Sequence, residues 1–121
     1  MDDHHVIRHI TQNDLYRDVA SGVTRVASGA YSESTGGGMS VDIEEWMIAA
    51  RLDPLHYITD PAHGAVRISV RELRLLGFRV GWDPDSGHPH HGAVWGIGNG
   101  SKGRRKVARI AVTVRKAAGE D

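Results

Sequence analysis

Apolar and polar positions along this chain follow two periods, one suited to strands and one to helices. Phe78, Val80 and Trp82 alternate with Arg79 and Gly81, the pattern of a half-buried strand. Ala65 to Ile68 and Ala93 to Ile97 are short apolar runs that also predict strands. Ser69-Val70-Arg71-Glu72 has the form of a capping box, in which the Ser oxygen and the Glu carboxylate satisfy orphan helix amides reciprocally. Leu73 and Leu76 give the helix that follows its apolar contacts, and Gly77 supplies a left-handed terminator. Asp42 opens a second helix, with Ile43, Trp46, Met47 and Ala50 as its apolar stripe. Asp53-Pro54 ends it, because proline disfavours a helical residue before it. An earlier helix is expected after Thr11, with Asp14 in its first turn and Leu15, Tyr16, Val19 and Ala20 on one face, although Val19 to Val26 also fits extended structure. At the C-terminal end Val107, Ile110, Ala111, Val114 and Ala118 keep helical spacing, while Ile110, Val112 and Val114 keep strand spacing; the Ala, Arg and Lys content favours a helix over Val107 to Ala118.

Three glycine-rich segments separate these elements: Ser32 to Gly38, Asp83 to Gly92 and Gly96 to Gly103. The predicted fold is a single α+β domain over 1–121, with a small, largely antiparallel sheet, two to four helices, a frayed N-terminus and a C-terminal tail. Trp46, Leu73, Leu76, Phe78, Val80 and Trp95 are the expected core. With 121 residues, neither side of the triglycine run has enough chain to bury a separate core readily.

Composition narrows the chemistry. Lys+Arg and Asp+Glu are both 15, so the formal charge is zero, which argues against a generally polyanion-coating protein. No apolar run approaches the roughly 18 residues needed to span a bilayer, and the first residues lack a secretory pattern, so the expectation is a cytoplasmic protein without a membrane partner. Zero cysteines exclude disulfides within the chain, thiolate zinc sites and a cysteine nucleophile.

Histidine is the conspicuous excess, with eight residues at 4, 5, 9, 56, 63, 88, 90 and 91. His4 and His5 lie where the chain is expected to fray, and His9, His56 and His63 read as surface or hydrogen-bonded structural residues. In an extended segment His88 and His90 point the same way, so they form a candidate metal pair with Asp85, His63 or a histidine of a second copy as third ligand. The spacing matches no familiar zinc signature, so neither a functional metal nor a cofactor is expected. A second concentration is basic: Lys102, Arg104, Arg105 and Lys106, continuing to Arg109, Arg115 and Lys116 without an acid. With the glycines before it, this stretch predicts either phosphate contact or a solvated basic face.

Two strings, Leu15-Tyr16-Arg17 and Met39-Ser40-Val41-Asp42, are followed late in the chain by Pro89-His90-His91-Gly92-Ala93-Val94. In these the chain resembles small bacterial proteins with an early Leu-Tyr-Arg string, a Ser-Val-Asp string and a late histidine segment. A fainter likeness to ADP-ribosyltransferase-type domains matches Arg17 and Ser40 to the first two positions around the dinucleotide, but no late Glu stands in a matching motif. The resulting expectation is a site for a phosphate-containing nucleotide or RNA end. Arg17 would clamp the anion, Ser40 donate a hydrogen bond, and His90 or His91 move a proton. The competing expectation is a non-catalytic interaction module, such as an antitoxin or accessory subunit, with a protein partner.

Overall fold

Residues 5–10 alternate His-Val-Ile-Arg-His-Ile, which places Val6 and Ile10 on one face and Ile7 and His9 on the other. They form the strand β1 (His5–Ile10), and the segment expected to fray is an inner strand of the sheet. The computed structural model describes residues 1–34, 37–83 and 88–121. Its other strands are β2 (Leu15–Arg17), β3 (Thr24–Val26), β4 (Met39–Ile43), β5 (Gly64–Ser69), β6 (Arg79–Trp82), β7 (His91–Trp95) and β8 (Val112–Arg115). The helices are α1 (Glu44–Ala49), α2 (Val70–Leu75) and α3 (Ser101–Ile110). Six strands pair antiparallel in the order β6-β7-β4-β1-β5-β8, and β2 and β3 make a separate ribbon. This is the expected α+β fold.

One face of the sheet carries the main core. Val6, Ile10, Val41, Ile43, Val66, Ile68 and Val94 meet Val70 and Leu73 of α2 and Val107 of α3. Leu73, Phe78 and Val80 are buried as expected, while Trp46 and Leu76 are half-buried against the cluster. Trp95 is half-buried and lies so close to Gly38 that a Cβ there would come within 2.8 Å of its ring. Gly38 also has φ +74, so glycine is required on both counts.

Several elements differ from their sequence reading. The expected helix after Thr11 is a single 3-10 turn, Gln12–Asp14, in which Asp14 does close a capping box on Thr11. The chain then turns into the β2–β3 ribbon, because Asp18 and Gly22 form a tight turn and β-favouring Val23, Thr24 and Val26 follow it. The expected C-terminal helix is divided. α3 ends at Ile110, and Val112–Arg115 leaves as strand β8 to pair with β5, tertiary pairing overriding helical spacing. α3 also starts earlier than the glycines of Gly96 to Gly103 imply, and His91 and Gly92 belong to β7 rather than to a loop. At α2, Ser69 Oγ accepts from Glu72 N at 3.1 Å, and α1 starts at Glu44, one strand residue beyond Asp42. The Ser32 to Gly38 segment is anchored at its ends: Ser34 bridges Gly38, and Glu33 Oε1 accepts from Gly96 N at 2.6 Å and Ile97 N at 3.1 Å.

Candidate active site

The opposite face of the sheet mixes a small apolar cluster, Ile7 and Ala65, with polar side chains, and strand register decides what stands on it. Ile7 is paired with Asp42, and Asp42 with His91, so these three side chains lie abreast across β1, β4 and β7. His9 and Ser40 lie two residues along on the same face, with Ala65 and Ala93 as their small neighbours. Strands β1 and β4 pair only at Val6–Ile43 and Ile7–Asp42. Beyond that point Arg8 spans the gap, donating from Nε to Ala30 O at 3.0 Å and from Nη1 to Ser40 O at 2.9 Å. The parted strands floor a pocket of about 270 Å³ lined by His9, Ser40, Asp42, Tyr57, His88 and His91, among others.

The segment between α1 and β5 forms its wall. Asp53 and Asp60 hold tight turns by accepting from Leu55 N and Ala62 N, and Leu55 and Ile58 pack on Ile7 and Ala65. This brings Tyr57 flat against His88, with ring centroids 3.7 Å apart, and its hydroxyl within 2.9 Å of His90 Nδ1.

Hydrogen bonds fix the protonation of the rings. His90 N–H donates to His88 Nδ1 at 3.2 Å, so the His88 proton sits on Nε2, which donates to Asp42 Oδ1 at 2.7 Å. His91 Nδ1 donates to Asp83 O at 3.0 Å, with an Asp83 carboxylate oxygen at 3.8 Å, and its Nε2 is the remaining ring nitrogen. His63 Nε2 faces Asp60 Oδ2 at 3.3 Å, an acceptor; His63 Nδ1 therefore accepts from His9 Nε2 at 2.7 Å, leaving His9 Nδ1 with a lone pair. Burial holds His9 below its ordinary value, reinforced by His63 and Arg8. Asp42 is pushed up by burial, against the opposing pull of His88, His91 and His9. The pocket thus holds two imidazoles with assigned lone pairs beside a carboxylate that resists ionisation.

Of the residues expected from the sequence, Ser40 and His91 line this pocket. His90 reaches it through Tyr57. Arg17 is not among the lining residues; it lies in the β2–β3 ribbon, its guanidinium beside the Gly22 turn. The pair His88 and His90 does not present two open nitrogens to one ion, since both His88 nitrogens and His90 Nδ1 are engaged; Asp85 lies outside the described residues. Among the described residues, the one trio of potential metal ligands with mutually close donor atoms is His5, Glu44 and Glu45, within 4.8 Å. There Arg67 Nε already occupies both Glu44 oxygens, at 2.9 and 3.1 Å.

The basic stretch is divided by the helix. Lys102, Arg105, Lys106 and Arg109 share one face of α3 at i, i+3, i+4 and i+7. Arg104 lies on the other flank, Nη1 3.4 Å from Ser32 Oγ and Nε buried without a partner among the described residues.

Sequence reading missed His9, Asp42 and Tyr57 as site residues, and read His63 as a third metal ligand or a structural residue rather than as the partner of His9. The signals were present for two of them: His9 is two residues from Ile7, and Asp42 two from Ser40, so each shares a strand face with a site neighbour. Comparison with known proteins finds no matching family model, no matching curated protein and no matching solved structure. Among the described residues no helix is long and apolar enough to cross a membrane.

Proposed function

We propose that the histidine pocket binds and processes a phosphate-containing nucleotide or RNA end by acid–base catalysis. The observation that carries this reading is the pair of oriented imidazoles, His9 and His91, lining one pocket with Ser40 and Asp42. In hydrolysis of a phosphate ester, His9 Nδ1 takes a proton from water as its oxygen bonds to phosphorus. The ester P–O bond breaks, and His91, entering the step as the imidazolium with protons on both nitrogens, gives its Nε2 proton to the leaving oxygen and returns to the neutral ring held by Asp83 O. The charge gained by His9 does not stay there: its Nε2 proton passes to His63 Nδ1, and the resulting imidazolium stands beside Asp60. Ser40 and Tyr57 supply hydroxyls for orientation, and Asp42 fixes His88 in the pocket wall.

A second reading, a non-catalytic module for a protein partner, is favoured by one feature. β8 is an edge strand with Val112 and Val114 exposed, a surface onto which a partner strand can add. One experiment separates the two. Mononucleotides and short oligoribonucleotides are titrated into the protein by NMR and assayed for turnover, beside His91→Ala. Shifts confined to His9, Ser40, Asp42 and His91, with turnover falling about 10²–10⁴-fold in His91→Ala, support the enzyme. No shift and no turnover with any nucleotide removes it and leaves the interaction module.

A further inference from the structure

A larger cavity, about 600 Å³, lies between the β2–β3 ribbon and α3 and shares no lining residue with the histidine pocket. Tyr16, Arg25, Arg105 and Arg109 line it, with Val26 and Ala108 at its floor, and none of its lining residues is acidic. On the adjoining helix face Lys102 and Lys106 extend the row of cations, so four positive side chains follow one line of about 10 Å. Arg25 is held by Asp18 at 2.6 Å and sits 5.9 Å from the Tyr16 ring centre, so its charge is partly answered within the ribbon. The other cations of the row have no acidic partner among the described residues. Tyr16 is 44% exposed, an aromatic face in a groove otherwise built for anions.

We propose that this groove binds single-stranded nucleic acid. Phosphates lie along Lys102, Arg105, Lys106 and Arg109, and a base stacks on Tyr16. A row of cations needs a ligand with repeated negative charge. A stacking ring beside that row needs one whose flat faces are open, which a single strand offers and a duplex hides within its stack. The neutral net charge of the chain does not oppose this, because the row is a local concentration and no residue lining the groove is acidic; Asp18 answers Arg25 alone, at the ribbon side. The inference stands on the groove and does not depend on chemistry in the histidine pocket.

The test is fluorescence anisotropy of a labelled octaribonucleotide with the full chain over a salt series. Four phosphate contacts on a single strand predict a log–log salt slope of about −3. Arg105→Ala/Arg109→Ala should weaken binding more than about tenfold at low salt and flatten the slope by about 1.4. Tyr16→Ala should weaken binding about five- to tenfold and leave the slope unchanged. Both arginines and Tyr16 are exposed, so these variants keep the core intact. Binding that is unaffected by the double variant, or by Tyr16→Ala, overturns the proposal. So does equal displacement of the octamer by a polyglutamate peptide, which would make the groove a surface for acidic protein. Loss of binding in His91→Ala with full binding in the double variant would move the ligand to the histidine pocket and also overturn it.

Discussion

Nε2 of His88 stands 2.7 Å from Oδ1 of Asp42, both side chains less than a fifth exposed, and Tyr57 covers the same imidazole. Even with this partner, burial pushes the Asp42 carboxyl above its ordinary 3.8. The folded chain therefore holds this proton more tightly than the unfolded chain. The associated stability is complete below pH 3.8 and is lost as pH rises through the raised midpoint. Asp42→Asn keeps the shape and removes the buried charge. It should melt higher than the parent at neutral pH, and the difference should close as pH falls below 3.8. Thermal melts of both proteins across the carboxylate range check this; an Asn variant that melts lower at neutral pH refutes it. A carboxylate retained at a cost in stability is expected where chemistry needs it.

The His9–His63 contact gives a second titration with a definite sign. Burial first, then the neighbouring His63, hold His9 below its ordinary 6.5. Removing His63 takes away one of these causes and opens His9 to water. In His63→Ala the His9 midpoint should therefore rise toward 6.5, as followed by the ring proton shifts. An unmoved or lower midpoint would show that the 2.7 Å contact does not couple the two rings.

How much of this was legible in the sequence depended on whether local or long-range pairing decided the outcome. Ser69 and Glu72 are three residues apart, and their cap formed as read. The Phe78-Val80 alternation formed a strand, though Trp82, on the same face, runs past the core and packs edge-on to Trp46 at 6.0 Å. Val112–Arg115 became a strand only because β5, more than forty residues earlier, offers its edge. The candidate site obeyed the same rule. Ser40 and His91 were found because each belongs to a recognisable string. Spacing puts Asp42 on the strand face of Ser40 and His9 on that of Ile7, but which strands lie side by side, and the turn-rich segment that brings Tyr57 and His63 to them, do not follow from spacing along the chain.

Gly103 separates propensity from packing. In an open helix, glycine to alanine stabilises by about 1 kcal/mol. Here a Cβ would lie 2.1 Å from Ile97 O, a backbone atom that cannot rotate aside. The overlap outweighs the propensity gain, as overpacking typically costs about 1–3 kcal/mol. Gly103→Ala should therefore lower the denaturation midpoint, whereas Gly29→Ala, with open space at its Cβ, should not. A Gly103→Ala protein as stable as the parent in urea would mean that α3 does not press on Ile97.

Arg17 and His91 were equal candidates in the sequence, and the fold separates them. His91 is buried on the pocket face, abreast of Asp42, with Nδ1 anchored by Asp83 O and Nε2 as the remaining nitrogen. Arg17 is exposed on the two-stranded ribbon and lines neither cavity. If the pocket carries the acid–base step, His91→Ala should reduce kcat by about 10²–10⁴-fold, because no other ring replaces its proton. The His90 side chain is not among the pocket's lining residues and meets it through the Tyr57 hydroxyl at 2.9 Å, so His90→Ala should raise KM more than it lowers kcat. Arg17→Ala should change neither constant by more than about twofold, surface substitutions away from a site being close to neutral. Steady-state kinetics on the nucleotide that gives turnover, measured for all three variants, decide the matter. A large loss in Arg17→Ala with a normal His91→Ala would place the reaction on the ribbon instead of the sheet.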